Sequence, residues 1–229
     1  MIQVFIGYDA GESVAYHVAA HSILRRSSAP VTIAPVALTQ LKTIYHRERG
    51  PTESTEFSLT RFLVPYLSGY QGYSIYMDCD FLCLTDITDL LDHCNLEVPI
   101  SVCQHDYTPK SATKMRGQVQ TTYPRKNWSS LMVFNNQACR VLTPSYVNHT
   151  EGLELQRFLW AEDRIGSLPL EWNWLVGEYP INFNAKMLHY TLGGPWFSQT
   201  RECDHAQDWL DEYRHLTGSD YYPVQTRRR

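Results

Sequence analysis

The sequence contains no run approaching the roughly 20 apolar residues that cross a bilayer, no low-complexity segment and no internal repeat. A helical membrane anchor, a solenoid and a disordered linker are thereby set aside. The opening residues, MIQVFIGYDAG, lack the basic start and long apolar stretch of a secretory signal, so a cytoplasmic chain is expected. An excess of one charge is also missing. A formal charge of -4, with Lys and Arg scattered apart from Arg227, Arg228 and Arg229, gives no electrostatic footprint for nucleic acid. The six cysteines show no CxxC pairing and sit mostly in apolar contexts, as reduced core thiols do. The sequons at Asn127 and Asn148 would matter only in a secreted chain.

What is present reads as α/β. With 229 residues and 43% hydrophobic content the chain can bury one sizeable core, so a single domain over 1–229 is expected. IQVFI reads as a strand ended by Gly7. In ESVAYHVAAHSILRR, Val14, Ala15, Val18, Ala19, Ser22 and Ile23 fall at helical spacing, and VTIAPVAL follows as a second strand. This is a βαβ opening with a parallel pair. STEFSLTRFLVPYL carries a helix from about Glu56, with Pro65 near its end; LEVPISVCQ and WSSLMVFN read as strands, EGLELQRFLWAED as an amphipathic helix, and MLHYTL as a late strand. ECDHAQDWLDEYRHL closes the chain as a helix with Trp209, Tyr213 and Leu216 on one stripe. Between Gln104 and Trp128 lies a long polar stretch without periodicity, whose position would suit a lid over residues 105–126.

One short stretch, YMDCDF, interrupts an apolar run with Asp78 and Asp80. Burying one carboxylate costs several kcal/mol unless it is paired or bound to a cation. In an extended chain residues i and i+2 point the same way, so both carboxylates can meet one hard divalent ion while Cys79 turns to the core. Mg²⁺ or Mn²⁺ on such oxygens commonly bridges to phosphate, which predicts a phosphate-bearing ligand. The competing reading makes these acids turn or cap residues for the short helix near Thr85 and Asp86. An aspartyl-phosphate phosphatase also uses D-x-D, but after its first strand and with Thr or Val next; here Phe81 follows a later strand.

Taken together, the βαβ opening, Arg61 before Pro65-Tyr66-Leu67, Asp78-Cys79-Asp80, Asp86-Ile87-Thr88-Asp89-Leu90, LMVFN, WAEDR and LHYTLGGPW occur in the order seen in one enzyme group. The chain resembles glycosyltransferase family 8, the glycogenin and bacterial lipopolysaccharide galactosyltransferase group, from Ile2 to about Trp196. That resemblance implies a GT-A (Rossmann-like) fold, with a mixed, mostly parallel sheet flanked by helices. It would divide the domain into a nucleotide-binding half (1–104), an acceptor and catalytic half (105–200) and a C-terminal helix with a basic tail (201–229). It further implies a retaining hexosyltransferase acting on a UDP-sugar and a glycan or glycolipid hydroxyl. Asp78, Asp80 and His189 would hold Mn²⁺ or Mg²⁺, the imidazole favouring Mn²⁺. Gly7, Tyr8, Asp9, Cys79, Gly193 and Trp196 would line the donor side, with Arg61 neutralising the donor or orienting the first Asp. Asp163 would face the sugar beside the transition state.

The same residues have plainer readings: His189 as a core histidine, Asp9 as a turn acid before Gly11, Arg61 as a helix-surface arginine, and Asp163 as a helix-end acid. Trp172, Trp174, Trp196 and Phe197 could stack on sugars or simply pack the core.

The chain departs from the family at several points. Trp128-Ser129-Ser130 stands where the family has Asn, a small residue and Gly; Arg164 stands for the Gln after the catalytic Asp; Gly194 stands for a phosphate-binding Lys; and Glu12 falls near the position of the uracil-stacking tyrosine. Lys186, Arg201, Lys110, Lys114 or Arg116 could replace the missing charge, and Tyr8 or Tyr16 the missing ring. A nucleotide-sugar binding module without transfer activity is the alternative these departures raise. A sugar nucleotidyltransferase is a weaker rival, because GYDAGES lacks its Gly-rich, basic loop. Arg227, Arg228 and Arg229 could add a weak attraction to an anionic membrane, worth a few kcal/mol at best; a disordered tail is simpler.

Overall fold

The computed structural model describes residues 1–50, 55–110, 113–114, 118–119 and 124–222. Strand β1 (Ile2–Tyr8) leads through a 3-10 turn into helix α1 (Ser13–Arg26), and the chain returns as β2 (Val31–Ala37). β1 and β2 pair in parallel, as the alternation of apolar runs requires. Ala15, Val18, Ala19, Ser22 and Ile23 form the buried stripe of α1, the i, i+3, i+4 pattern of a helix lying on a sheet.

The segment from Glu56 is not one helix. Turns lead into a 3-10 stretch, Thr60–Leu63, buried on every side, and regular helix begins only at α2 (Val64–Leu67). Pro65 has no N–H to bond back across the preceding turn, so it opens a helix instead of ending one.

Strands β3 (Tyr73–Met77) and β4 (Phe81–Cys83) follow, and then a 3-10 helix, Ile87–His93, capped by Asp86. The Asp86 carboxylate accepts from the Thr88 and Ser28 N–H groups, both at 2.9 Å. Burial pushes its pKa up, but these hydrogen bonds outweigh burial and hold it at about 2, against an ordinary 3.8. Asp86→Ala is expected to cost about 1 kcal/mol, the usual loss of an N-cap. Because the folded-state pKa is depressed, that contribution is fully present above the unfolded value and disappears as pH falls through about 2. Urea midpoints of wild type and variant should therefore differ at neutral pH and converge in strong acid.

β5 (Ile100–Cys103) is shorter than its apolar run because Pro99 precedes it; β6 (Thr113–Lys114) and β7 (Gln118–Val119) pair antiparallel by themselves. Trp128–Ser130 is a 3-10 turn rather than the start of the strand, and β8 (Leu131–Asn135) follows it. Helix α3 (Pro144–His149) is capped by Thr143. The expected helix over residues 151–163 breaks after α4 (Gly152–Gln156): Phe158, Glu162 and Asp163 take positive φ around a 3-10 turn, Leu159–Ala161. Phe158 and Trp160 are both buried, on Phe62 and Phe134 respectively, and two residues spaced i, i+2 cannot share one helix face.

β9 (Ile165–Leu168), β10 (Trp174–Leu175), β11 (Met187–His189) and helix α5 (Ala206–Thr217) complete the chain. In α5 the buried partner of Trp209 is Glu212, while Leu216 is exposed. Glu212 takes that place because α1 meets it with polar partners: the Arg25 Nη2 and Arg26 Nη1 cations at 2.9 and 2.7 Å, and the His21 imidazole Nδ1 at 2.6 Å.

The large sheet has the order β2-β1-β3-β8-β5-β9, parallel except for β8, and a small sheet has the order β10-β11-β4. Met77 at the end of β3 faces Leu131 at the start of β8. The carboxyl ends of β3, β5 and β9 therefore share one edge, the edge at which open α/β sheets bind ligands. None of the six cysteines forms a disulfide. Among the described residues no helix is long and apolar enough to cross a membrane.

Candidate metal and donor site

Asp78-Cys79-Asp80 is not extended chain. It is the turn by which β3 leaves the large sheet and enters the small one as β4. The Asp78 N–H donates to Ser130 O (3.0 Å) on the β8 side, and Asp80 O accepts from Tyr190 N–H (2.9 Å) on the β11 side. In the small sheet His189 lies opposite Phe81, and the imidazole stacks on that ring at 4.3 Å and 13°. The junction brings the ligand atoms of Asp78, Asp80 and His189 within 4.8 Å of one another. All three are buried, at 9%, 5% and 2% exposure. Convergence thus comes from a turn between two sheets and not from the i, i+2 alternation of an extended strand.

The cluster concentrates buried charge. Burial pushes Asp78 up to about 6; the Arg61 guanidinium pulls it down, Asp80 pushes it up, and His189 and the Tyr76 hydroxyl draw it down again. Arg61 Nη1 lies 3.1 Å from Asp78 Oδ1, and Tyr76 donates to the same oxygen at 2.8 Å. Arg61 is buried, held by Phe57 O and Ser129 O and lying over the Phe57 and Tyr76 rings. It is thus no surface arginine.

His189 Nδ1 lies 2.9 Å from Asn173 Oδ1, an acceptor, so the proton sits on Nδ1. The Asn173 amide nitrogen donates to Ser130 Oγ at 2.9 Å, which fixes its orientation. Nε2 is left facing Asp80 Oδ1 at 3.4 Å, acceptor against acceptor. Only a positive charge between or on them, a proton or a metal ion, reconciles that contact. Two carboxylates and one imidazole are a donor set that Mn²⁺ accepts, so the residues fit the ion.

Cys79 lies in the core. Burial drives its thiol well above the ordinary range, and the carboxylates of Glu12, Asp80, Asp78 and Asp9 add to that effect. Four buried acids thus surround one thiol, and the sulfur stays protonated. Gly7 lies within β1; a Cβ there would fall 2.5 Å from the Phe57 ring and 2.7 Å from Tyr76 Oη, so its lack of a side chain serves packing. Asp9 is a turn acid: its oxygens accept from the N–H groups of Gly11 (2.8 Å) and Glu56 (3.3 Å). Tyr8 and Tyr16, both half-buried, meet edge to face at 5.4 Å.

The loop after β11 explains two departures from the family pattern. A Cβ on Gly194 would fall 2.0 Å from Trp196 Cζ3, so no lysine fits unless that ring moves. The Trp196 indole in turn donates to Glu12 Oε2 at 3.1 Å, which accounts for a buried acid in place of an aromatic residue. Gly193 sits at φ 104, backbone that favours glycine.

Other candidates lie elsewhere. Asp163 is 86% exposed, paired with Arg125 at 2.9 Å, and precedes the amino end of edge strand β9. β8 and β5 separate β9 from β3, roughly 14 Å of sheet, so Asp163 does not join the cluster. Trp172 is core, Trp196 is buried against Trp209, and Trp174 and Phe197 are half-buried. Lys186 and Arg201 are exposed. Lys110 donates from Nζ to Gly177 O and from its N–H to Glu178, so the start of the long loop is tied down. The side chains of Lys114 and Arg116, and Arg227, Arg228 and Arg229, lie outside the described residues.

Sequence reasoning missed Tyr76, Ser130, Asn173 and His105. Asn173, between two tryptophans, carried a signal: a buried amide must spend its hydrogen bonds on something specific. His105 is held neutral, pushed down to about 3 by burial and by the nearby His189.

No protein-family model matches the chain. Protein CDI of Arabidopsis thaliana is 49% identical over 220 residues, covering 92% of this chain and 85% of that protein. Among solved structures, the glycosyltransferase GlyE of Streptococcus pneumoniae TIGR4 superposes with a TM-score of 0.62 at 15% identity, over 99% of this chain and 67% of GlyE. The galactosyltransferase LgtC, solved with donor and acceptor sugar analogs, gives 0.57 at 11% identity, over 97% and 98%. The bifunctional glycosyltransferase WbbM gives 0.62 at 14% identity; the chain covers 49% of its length. The fold is that of the GT-A glycosyltransferases.

Proposed function

The chain belongs to the family of Arabidopsis thaliana Protein CDI, and from that premise and its GT-A fold we propose that it is a metal-dependent, retaining glycosyltransferase moving a hexose from UDP to a glycan or glycolipid hydroxyl. The observation that carries this reading is the meeting of Asp78, Asp80 and His189 at the carboxyl edge of the sheet. Those three would hold Mn²⁺ or Mg²⁺, which when bound supplies Lewis-acid stabilisation of the leaving diphosphate. Arg61 orients Asp78 and offsets its charge. Asn173 keeps the His189 Nε2 lone pair turned toward the carboxylates. The donor side assigned by resemblance comprises Gly7, Tyr8, Asp9, Cys79, Gly193 and Trp196; of these Tyr8, half-buried beside Tyr16, is the ring we assign to the base, and buried Gly7, Cys79 and Trp196 support it by packing. Of the roles assigned by resemblance, that of Asp163 beside the sugar has the least support, since its carboxylate faces solvent.

A second reading, a nucleotide-sugar binder without turnover, is favoured by Arg164 in place of the amide and by the Trp196 ring in the space a lysine would need. Thermal denaturation with UDP, GDP, UDP-glucose and UDP-galactose, with and without Mn²⁺, tests both. A uridine ligand at a hundred times its dissociation constant is expected to raise the midpoint by about 5–10 °C, and only with Mn²⁺ present. Slow release of UDP from the sugar nucleotide supports transfer; the same shift with no release supports the binder. No response to any nucleotide removes both.

A further inference from the structure

Three aromatic rings that the donor site does not use stand together beside it. Tyr107 and Tyr179 meet at 5.8 Å and 74°, and Trp174 meets Tyr179 at 5.1 Å and 61°. Buried His105 backs them, 5.8 Å from Tyr179 and 6.3 Å from Tyr107. All three rings are only half-buried, whereas Trp172 nearby is fully enclosed.

Their polar ends are already engaged. The Tyr179 hydroxyl bonds His105 Nδ1 (3.0 Å), Tyr107 Oη accepts from the Asn127 amide (2.7 Å), and the Trp174 indole donates to Pro180 O (2.9 Å). These bonds hold the side chains in fixed orientations, with part of each residue left open to a ligand. The group is also fixed to the metal side. Asn127 reaches Thr191 Oγ1 at 3.3 Å, two residues beyond His189, and its carbonyl accepts from Ser130 Oγ at 2.7 Å, the hydroxyl beside His189 Nδ1.

We infer that Tyr107, Trp174 and Tyr179 form the acceptor platform, on which the apolar face of a neutral pyranose stacks within reach of the metal cluster. The inference rests on the glycosyltransferase reading and adds the acceptor class to it. Exposed Asp106 beside Tyr107 disfavours an anionic sugar, while buried Glu178 is taken up by the Lys110 N–H, so the acceptor is a neutral saccharide or glycoside.

Isothermal titration of the full chain with methyl β-galactopyranoside, lactose and glucuronate, in the presence of Mn²⁺ and UDP, tests it. Saturable binding of at least one neutral saccharide is expected, with glucuronate weaker. Trp174→Ala should weaken that binding at least tenfold with the UDP affinity unchanged, and Trp174→Phe, which keeps a ring and guards against a folding defect, should weaken it less. The platform is overturned if no neutral saccharide binds, or if Trp174→Ala binds it as wild type does. Failure of UDP and Mn²⁺ to bind would sink the donor reading instead, and the saccharide titration would still decide the platform.

Discussion

Asparagine in place of Asp80 is expected to cut Mn²⁺-dependent release of UDP from a UDP-sugar by on the order of a thousandfold, while leaving the metal-free chain at least as heat-stable as wild type. The two effects have one cause. Asp9, Glu12, Asp78 and Asp80 are all buried around Cys79, and Asp80 faces the acceptor nitrogen of His189 at 3.4 Å. Without a metal that arrangement is repulsive, and burial first, with the Asp80 charge adding to it, raises the pKa of Asp78 to about 6 against the pull of Arg61. A neutral amide at position 80 relieves the repulsion and can donate to His189 Nε2, but it removes the charge that recruits a divalent ion. Melting curves with and without Mn²⁺, together with a UDP-release assay, check the pair of outcomes. An Asp80→Asn protein that melts several degrees lower and keeps its response to Mn²⁺ would mark the acid as structural and sink the metal-site reading.

Arg61→Met is expected to have the larger effect on stability, about 3–5 kcal/mol, the cost of removing one partner of a buried ion pair. For a chain of this size that lowers the melting midpoint by about 10 °C or more. The guanidinium does three things that methionine cannot: it pairs with Asp78 Oδ1 at 3.1 Å, donates to Phe57 O and Ser129 O, and lies over the Phe57 and Tyr76 rings. Ser129 in turn bonds Gln156 of α4, and Gln156 donates to Ser58 O, so the loss spreads beyond one contact. Adding Asp78→Asn to Arg61→Met should recover part of the loss, because the charge left without its guanidinium is then gone. A double-mutant cycle of urea midpoints measures the coupling. Simple addition of the two single effects would show that Arg61 stabilises by packing and backbone bonds alone.

Local pattern carried the main elements. The βαβ opening, the strand before the Asp pair and the amphipathic stripe of α1 follow from apolar spacing, because burial on one face leaves a period in the chain. Segments buried on all sides kept no such period. Thr60–Leu63 and Phe158–Ala161 look helical by composition, yet the first is a 3-10 turn and the second is broken by positive φ so that Phe158 and Trp160 can face different neighbours. In α5 Glu212, not Leu216, is inside, because Arg25, Arg26 and His21 on another helix receive it. Gly194 showed only as a missing lysine, and the Trp196 ring that fills its space is visible only in three dimensions.

The sequence by itself determined that Asp78 and Asp80 sit within an apolar run, that such acids need a partner, a pairing side chain or a cation, and that the chain has the alternation of an α/β sheet. The tertiary structure decided the rest of the site. The pair forms the turn between two sheets; β11 carries His189 to it from more than a hundred residues away; and Asn173 sets which imidazole nitrogen faces the acids. Asp163, close to the motif pattern in sequence, ends at the amino edge of a strand on the far side of β8 and β5. The physical reason is range. Burial and charge costs are properties of a residue and its near neighbours along the chain, whereas ligand convergence depends on strand order and register, which are set by pairings between distant segments.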